Sequence, residues 1–159
     1  MAIETVKTYL KKYGRDNDIL EFPTSSATVA MAAQALNVEN ARIAKTLAFR
    51  YDDSCILVVT AGDTKIDNAK FKQTFNIKAN MLSPDEVFKF TGHVVGGVCP
   101  FALTDANIKI FMDESLKRFK TVFPACGSSN SAIELTIQDL FNYSNCEGWV
   151  NVCKILEEN

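Results

Sequence analysis

Ile3, Val6, Leu10 and Tyr13 recur at the three- and four-residue spacing of one helix face, and Gly14 stands where a left-handed cap would end that helix. The spacing predicts a helix at the start of the chain. Residues 19–22 read as a short strand closed by Pro23, after which Thr24 and Ser25 are placed to cap an alanine-rich helix running to about Leu36, with Asn37 at its C-terminus. Residues 43–51 and 55–60 flank the polar sequence Asp52, Asp53, Ser54. This pattern is an antiparallel hairpin, and its second arm, apolar on both faces, belongs in the middle of a sheet.

Gly62, Asp63 and Thr64 break the pattern, and residues 66–75 resume helical spacing. Ser83, Pro84 and Glu86 supply an N-cap hydroxyl, a proline at the first helical position and a carboxylate three residues beyond the cap, which predicts a helix to about Thr91. Residues 93–103 hold two adjacent glycines and a proline, the mark of a structured turn. Residues 108–112, 120–126 and 132–136 read as strands, Thr136 and Asp139 as a cap for a helix through Tyr143, and residues 149–153 as a strand or a helix. Hairpins mixed with helices give a mixed α/β pattern rather than the regular alternation of a doubly wound sheet.

The 159 residues, 47% hydrophobic and 23% charged, fit one compact domain over residues 1–159, with no internal repeat, low-complexity tract or linker. Five cysteines, with no C-x-x-C pair, match neither a disulfide framework nor a zinc ribbon. Reduced thiols, no apolar run of signal-peptide or membrane-spanning length, and no targeting signal give the expectation of a cytoplasmic protein with no membrane partner. A formal net charge of −2 removes any broad attraction to polyanions, so a nucleic-acid partner would have to be gripped locally.

The chain has no phosphate-binding P-loop, no nucleophile elbow, no H-E-x-x-H and no EF-hand loop. With His93 as its single histidine it lacks a zinc ligand set, and no cofactor is implied. His93 and Cys99 are near in sequence, which could serve an imidazole-activated thiolate, although a free cysteine beside Val98 and Phe101 is more commonly a small buried hydrophobe. Lys45 sits in an otherwise apolar segment, where its stem would cover core surface and its ammonium reach water. Gly96 and Gly97, and Gly127 with Ser128, satisfy turn geometry or else present main-chain N–H groups to an anion.

Taken in order, four segments form a pattern: Ile43, Ala44, Lys45, Thr46 and Leu47; Gly62 and Asp63; Gly96, Gly97, Val98, Cys99, Pro100 and Phe101; and Ala125, Cys126, Gly127 and Ser128. On these residues the chain resembles the YbaK family, which is similar to the editing domain inserted in bacterial prolyl-tRNA synthetases and includes free-standing aminoacyl-tRNA deacylases. The resemblance covers about residues 24–143. It implies an α/β fold around a curled, partly barrel-like mixed sheet with surrounding helices, and a small pocket for the aminoacyl end of a mischarged tRNA. It implies a functional lysine at Lys45, a glycine-to-proline loop bounded by Gly96 and Pro100 and including Gly97, and a pocket-lining segment at Gly127 and Ser128. Asp63 and Lys70 match positions where related members carry polar residues near the tRNA end.

Two departures leave the amino acid open. Ala132 precedes Ile133, Glu134 and Leu135 where members that clear cysteine often carry aspartate, and Ser129, Asn130 and Ser131 stand where other members carry a histidine. The implied reaction is hydrolysis of the ester joining a small amino acid, such as cysteine, alanine, serine or threonine, to the terminal ribose of tRNA. Water would attack, with Lys45 holding phosphate, ribose or the oxyanion and main-chain amides of the 96–100 loop donating to the carbonyl oxygen. Lys65, Lys70, Lys72 and Lys78 could add a local basic face, or an aminoacyl-tRNA synthetase could recruit the protein. Two other readings stand beside this one: a non-catalytic module that binds an aminoacyl end or nucleotide, and a hydrolase working through Cys99.

Overall fold

The computed structural model describes residues 2–156. Helix α1 (Ala2–Lys11) buries Ile3, Val6 and Leu10, the face the spacing predicts, and Gly14 takes a positive φ of 72° just beyond it. Strand β1 (Leu20–Glu21) follows, then helix α2 (Val29–Leu36), capped by the Thr28 hydroxyl and closed by Asn37 in the left-handed region. Thr24 and Ser25 do not cap it, a correction with a tertiary cause. The Phe22 and Ser26 amides donate to the carbonyls of Asn130 and Ser129 at 2.8 and 2.6 Å, which keeps this stretch extended until Thr28.

The hairpin forms as predicted. Strands β2 (Ile43–Tyr51) and β3 (Ser54–Ala61) pair antiparallel in unbroken register from Ala44 opposite Ala61 to Tyr51 opposite Ser54. Beyond it the chain adds strand β4 (Thr64–Ile66) before helix α3 (Asn68–Phe75), because the Asp67 carboxylate accepts the amides of Ala69 and Lys70 and starts the helix there. Helix α4 (Pro84–Thr91) carries the full Ser83–Glu86 capping box. Strand β5 (Lys109–Asp113), a 3₁₀ segment (Glu114–Arg118) absent from the sequence reading, and strand β6 (Thr121–Pro124) come next.

The strand expected over residues 132–136 is two. Strand β7 (Ser131–Ala132) pairs with β1, and strand β8 (Leu135–Thr136) crosses to β6, where Leu135 faces Val122. Helix α5 (Ile137–Tyr143) is capped by Thr136, and the end of the described chain holds strands β9 (Gly148–Val150) and β10 (Cys153–Ile155).

The six-stranded order is β8-β6-β2-β3-β5-β9, a curled mixed sheet, with β1/β7 and β4/β10 as separate two-stranded ribbons. Strand β3 lies between β2 and β5 and is covered on both faces. Leu57 and Val59 meet Val6, Leu10 and Met112 on one side, while Ile56 and Val58 meet Phe49 and Phe71 on the other. That double burial is the reason its sequence lacks alternation. No helix among the described residues is long and apolar enough to cross a membrane.

Candidate active site

Side chains of β2 alternate between the two cores: Ala44 and Ala48 pack with one cluster, Leu47 and Phe49 with the other. Lys45 therefore shares a face with Leu47. Strand β6 accompanies β2 only at Ile43 and Ala44, and on the same edge the next contact is the single bridge from Phe49 to Met81. The Arg50 amide donates to Asn80 and the Ala48 carbonyl accepts from Leu82, at 2.8 and 3.1 Å, so alternation turns the main-chain N–H and C=O of Thr46 to this same edge. No described strand pairs there.

A cavity of about 250 Å³ fills the opening. Its floor is residues 43–48 of β2, and its walls come from the start of α2, from Met81, Leu82 and the first turns of α4, from Val95, Gly96 and Val98, and from Phe123, Ala125, Ser131 and Ala132. Small side chains at Ala32, Ala44, Ala48, Ala125 and Ala132 leave the space. Lys45 is the only ionisable side chain among the described residues that line it.

The Lys45 ammonium donates to the main-chain carbonyl of Thr64. An ammonium has three N–H donors, so two remain for an occupant of the cleft. Burial pushes the Lys45 pKa below the ordinary lysine value, with Cys153 and Asp63 pulling the other way. Next to it in sequence, the Thr46 hydroxyl is buried without a hydrogen-bond partner among the described residues.

The glycine segments meet. Gly96 has a φ of 91°, and a Cβ there would come within 2.8 Å of the Ala27 Cβ. The Gly127 amide donates to the Gly97 carbonyl at 2.9 Å, and the Gly97 amide is spent on Val94, also at 2.9 Å, while Val95, Gly96 and Val98 line the cleft. The Ser128 hydroxyl reaches the cleft through a 2.8 Å bond to that of Ser131.

Other candidates lie elsewhere. Pro100 is buried and lines a separate cavity with Tyr9, Ala102 and Ile110. Lys70 donates to the Cys153 carbonyl at 3.1 Å and reaches Asn151 at 3.4 Å, tying α3 to β10 rather than lining the cleft. Asp63 gives both carboxylate oxygens to Arg118, at 2.6 and 2.9 Å.

Cys99 is fully buried and outside the cleft, and burial pushes its thiol up to about 12. Its sulfur lies 3.5 Å from His93 Nε2, but that nitrogen is 2.8 Å from the Phe101 carbonyl, which can only accept. Nε2 thus carries the proton and has no lone pair for the thiol. The imidazole-activated cysteine loses its geometry.

The sequence profile of the aminoacyl-tRNA editing domain matches residues 24–143. The chain belongs to the aminoacyl-tRNA editing domain family. It is similar to the uncharacterized protein YwhH of Bacillus subtilis (strain 168), 54% identical over 155 residues that span 97% of this chain and 98% of that protein. It is also similar to a proline–tRNA ligase of Caldicellulosiruptor saccharolyticus, 31% identical over 96 residues, which cover 58% of this chain and 16% of the ligase. The fold resembles that of a crystal structure described as a candidate trans-editing enzyme for prolyl tRNA synthetase, with a TM-score of 0.86 at 24% identity over 96% of this chain and 97% of that one. A second crystal structure, of the hypothetical protein APE2540, gives 0.82 at 28% identity over 94% and 99%.

Within this editing fold, the sequence names Thr46 and Ser131 without assigning them to the site, and gives no role to the residues just before α2 or to Arg118. Thr46 was signalled by its place beside Lys45 in a strand. Nothing in the local sequence of Arg118 points to Asp63, since the pairing depends on a 3₁₀ turn that sequence periodicity does not report.

Proposed function

We propose that this chain is a trans-editing hydrolase, a single editing unit that deacylates tRNA mischarged with a small amino acid such as cysteine, alanine, serine or threonine. The observation that carries the reading is the convergence of Lys45 and Gly96, far apart in sequence, on one small, mostly apolar cleft at an open strand edge in a member of the editing family.

The cleft has room for a small acyl group, and its mostly small, apolar lining holds no carboxylate to pair with a basic side chain. Water attacks the ester carbon. The Lys45 ammonium and the main-chain N–H groups of Gly96 and Val98 stabilise negative charge on the carbonyl oxygen, where one preorganised donor contributes about 2.7–4 kcal/mol. An ester is an activated acyl group, so orientation of water and charge stabilisation suffice without a protein nucleophile. The open Thr46 main-chain carbonyl supplies an acceptor position for the α-amino group. The acceptor end of tRNA is the partner; Gly127 and Ser128 hold the loops of the cleft, while Asp63 and Lys70 act outside it, on Arg118 and on β10.

The test is a panel of tRNAs charged with each small amino acid. Accelerated ester loss with at least one of them, abolished by Lys45→Ala in a variant that keeps its fold, is the expected result. Binding of charged tRNA without faster ester loss assigns the chain to the non-catalytic module instead. Full activity in Lys45→Ala removes the lysine from the mechanism.

A further inference from the structure

Asp63 immediately precedes Thr64, whose carbonyl holds the Lys45 ammonium. A carboxylate so near a partly buried ammonium is its natural partner, yet the two form no ion pair in the structure. Arg118 explains why. Its two terminal nitrogens take both Asp63 oxygens, at 2.6 and 2.9 Å, in a bidentate pair. Its remaining nitrogen donates to the Ser115 carbonyl at 2.8 Å, so each of the three guanidinium nitrogens has a partner.

The 3₁₀ segment that carries Arg118 is itself fixed. The Ser115 hydroxyl accepts the Ala61 amide at 3.2 Å, and the Ser115 amide donates to Asp113 at 2.9 Å. Asp113 also accepts the Val152 amide at 2.8 Å. The far side of the turn is held as well: Leu156 donates to the Asp63 carbonyl at 2.7 Å, and a Cβ at Gly62 would collide with the Asn40 carbonyl.

We propose that Arg118 is a positioning residue for Lys45: by gripping both oxygens of Asp63 it holds that carboxylate on the guanidinium and away from the ammonium, which stays on the Thr64 carbonyl with two N–H donors left for the substrate. This rests on the deacylase reading for its effect on turnover, and on geometry alone for its effect on Lys45. Charged and titratable groups around the pair are few. Asp63 and Cys153 act on Lys45, while Asp63, Glu39 and Asp113 act on Arg118.

Removing the guanidinium frees Asp63 to bond Lys45, which raises the lysine pKa and withdraws its donors. Two readouts separate this from loss of structure. In deacylation, Arg118→Ala is expected to lower kcat by about tenfold, and adding Asp63→Asn to that variant to restore most of the loss, a coupling that simple damage to the turn does not produce. In acylation of the free protein by N-hydroxysuccinimidyl acetate, followed at Lys45 by mass spectrometry across pH, Arg118→Ala is expected to shift the reactivity profile to higher pH and the double variant to shift it back. A double variant as slow as Arg118→Ala, with an unchanged Lys45 profile in both, overturns the proposal. If the wild-type protein deacylates no charged tRNA, the functional reading fails, and the acylation profile still decides for or against Arg118.

Discussion

The Gly127 amide donates to the Gly97 carbonyl across 2.9 Å, and this bond joins the loop that carries Gly96 to the loop that carries Ser128. Nothing larger fits between them, since a Cβ on Gly97 would lie 2.6 Å from the Ser128 nitrogen. Gly97→Ala must therefore push the loops apart, at a cost of about 1–3 kcal/mol for forced overpacking. The expected outcome is a lower urea midpoint and a fall in deacylation, because Gly96 moves with its neighbour. Wild-type activity at an unchanged midpoint would show that the loops are not coupled.

Local patterns read well here wherever a local bond decides. The Ser83–Glu86 capping box, the Asn37 and Thr136 caps and the 43–61 hairpin all depend on residues a few positions apart, and all are found. Failures fall where distant main chain wins. Residues 22–26 are held extended by residues 129–130, so Thr24 and Ser25 lose the capping role to Thr28, and residues 132–136 divide between two partners. The site follows the same rule. Lys45 stands out as the one charge in residues 43–49, whereas the open edge of β2 exists only because β6 leaves after Ala44, a fact of topology.

A partly buried lysine costs stability, and Lys45 is held below its ordinary pKa chiefly by burial. Between that lowered value and the unfolded value near 10.5, the unfolded chain binds more protons, so this group's contribution makes the protein more stable as pH rises through the window. Lys45→Met removes the charge while keeping the stem. It is expected to match or exceed the wild-type melting temperature at pH 7, with the advantage shrinking toward pH 10, while deacylation is lost. A variant that melts well below wild type at pH 7 contradicts this account.

His93 presents the acid counterpart. It is buried, its Nδ1 has no partner among the described residues, and burial lowers its pKa from the ordinary 6.5. The unfolded chain takes up this proton first as pH falls, so the contribution is intact above about pH 6.5 and is lost between there and the lowered folded pKa. The slope of stability between pH 7.5 and 5, measured by urea midpoints, should be shallower in His93→Gln than in the wild type. The slope is the quantity that matters, since the substitution also lowers stability at every pH. Equal slopes would remove His93 as the acid-sensitive group.

Ala125 lines the cleft and is only half-buried. A larger side chain at this position grows into the cavity of about 250 Å³ rather than into packed core, so Ala125→Val should fold with a melting temperature close to wild type. Its effect belongs to the substrate. One methylene in an apolar pocket changes discrimination by about 1–3 kcal/mol, so the narrowed cleft should reject the larger small amino acids first. For Ala125→Val, kcat/KM on threonine- or cysteine-charged tRNA is expected to fall roughly tenfold or more relative to the change on alanine-charged tRNA. An equal decline on every charged tRNA would mean that Ala125 affects the loops and not the acyl side chain. No decline on any of them would place the amino acid in another part of the cleft, nearer Val87 and Leu82, and would move the size filter to α4.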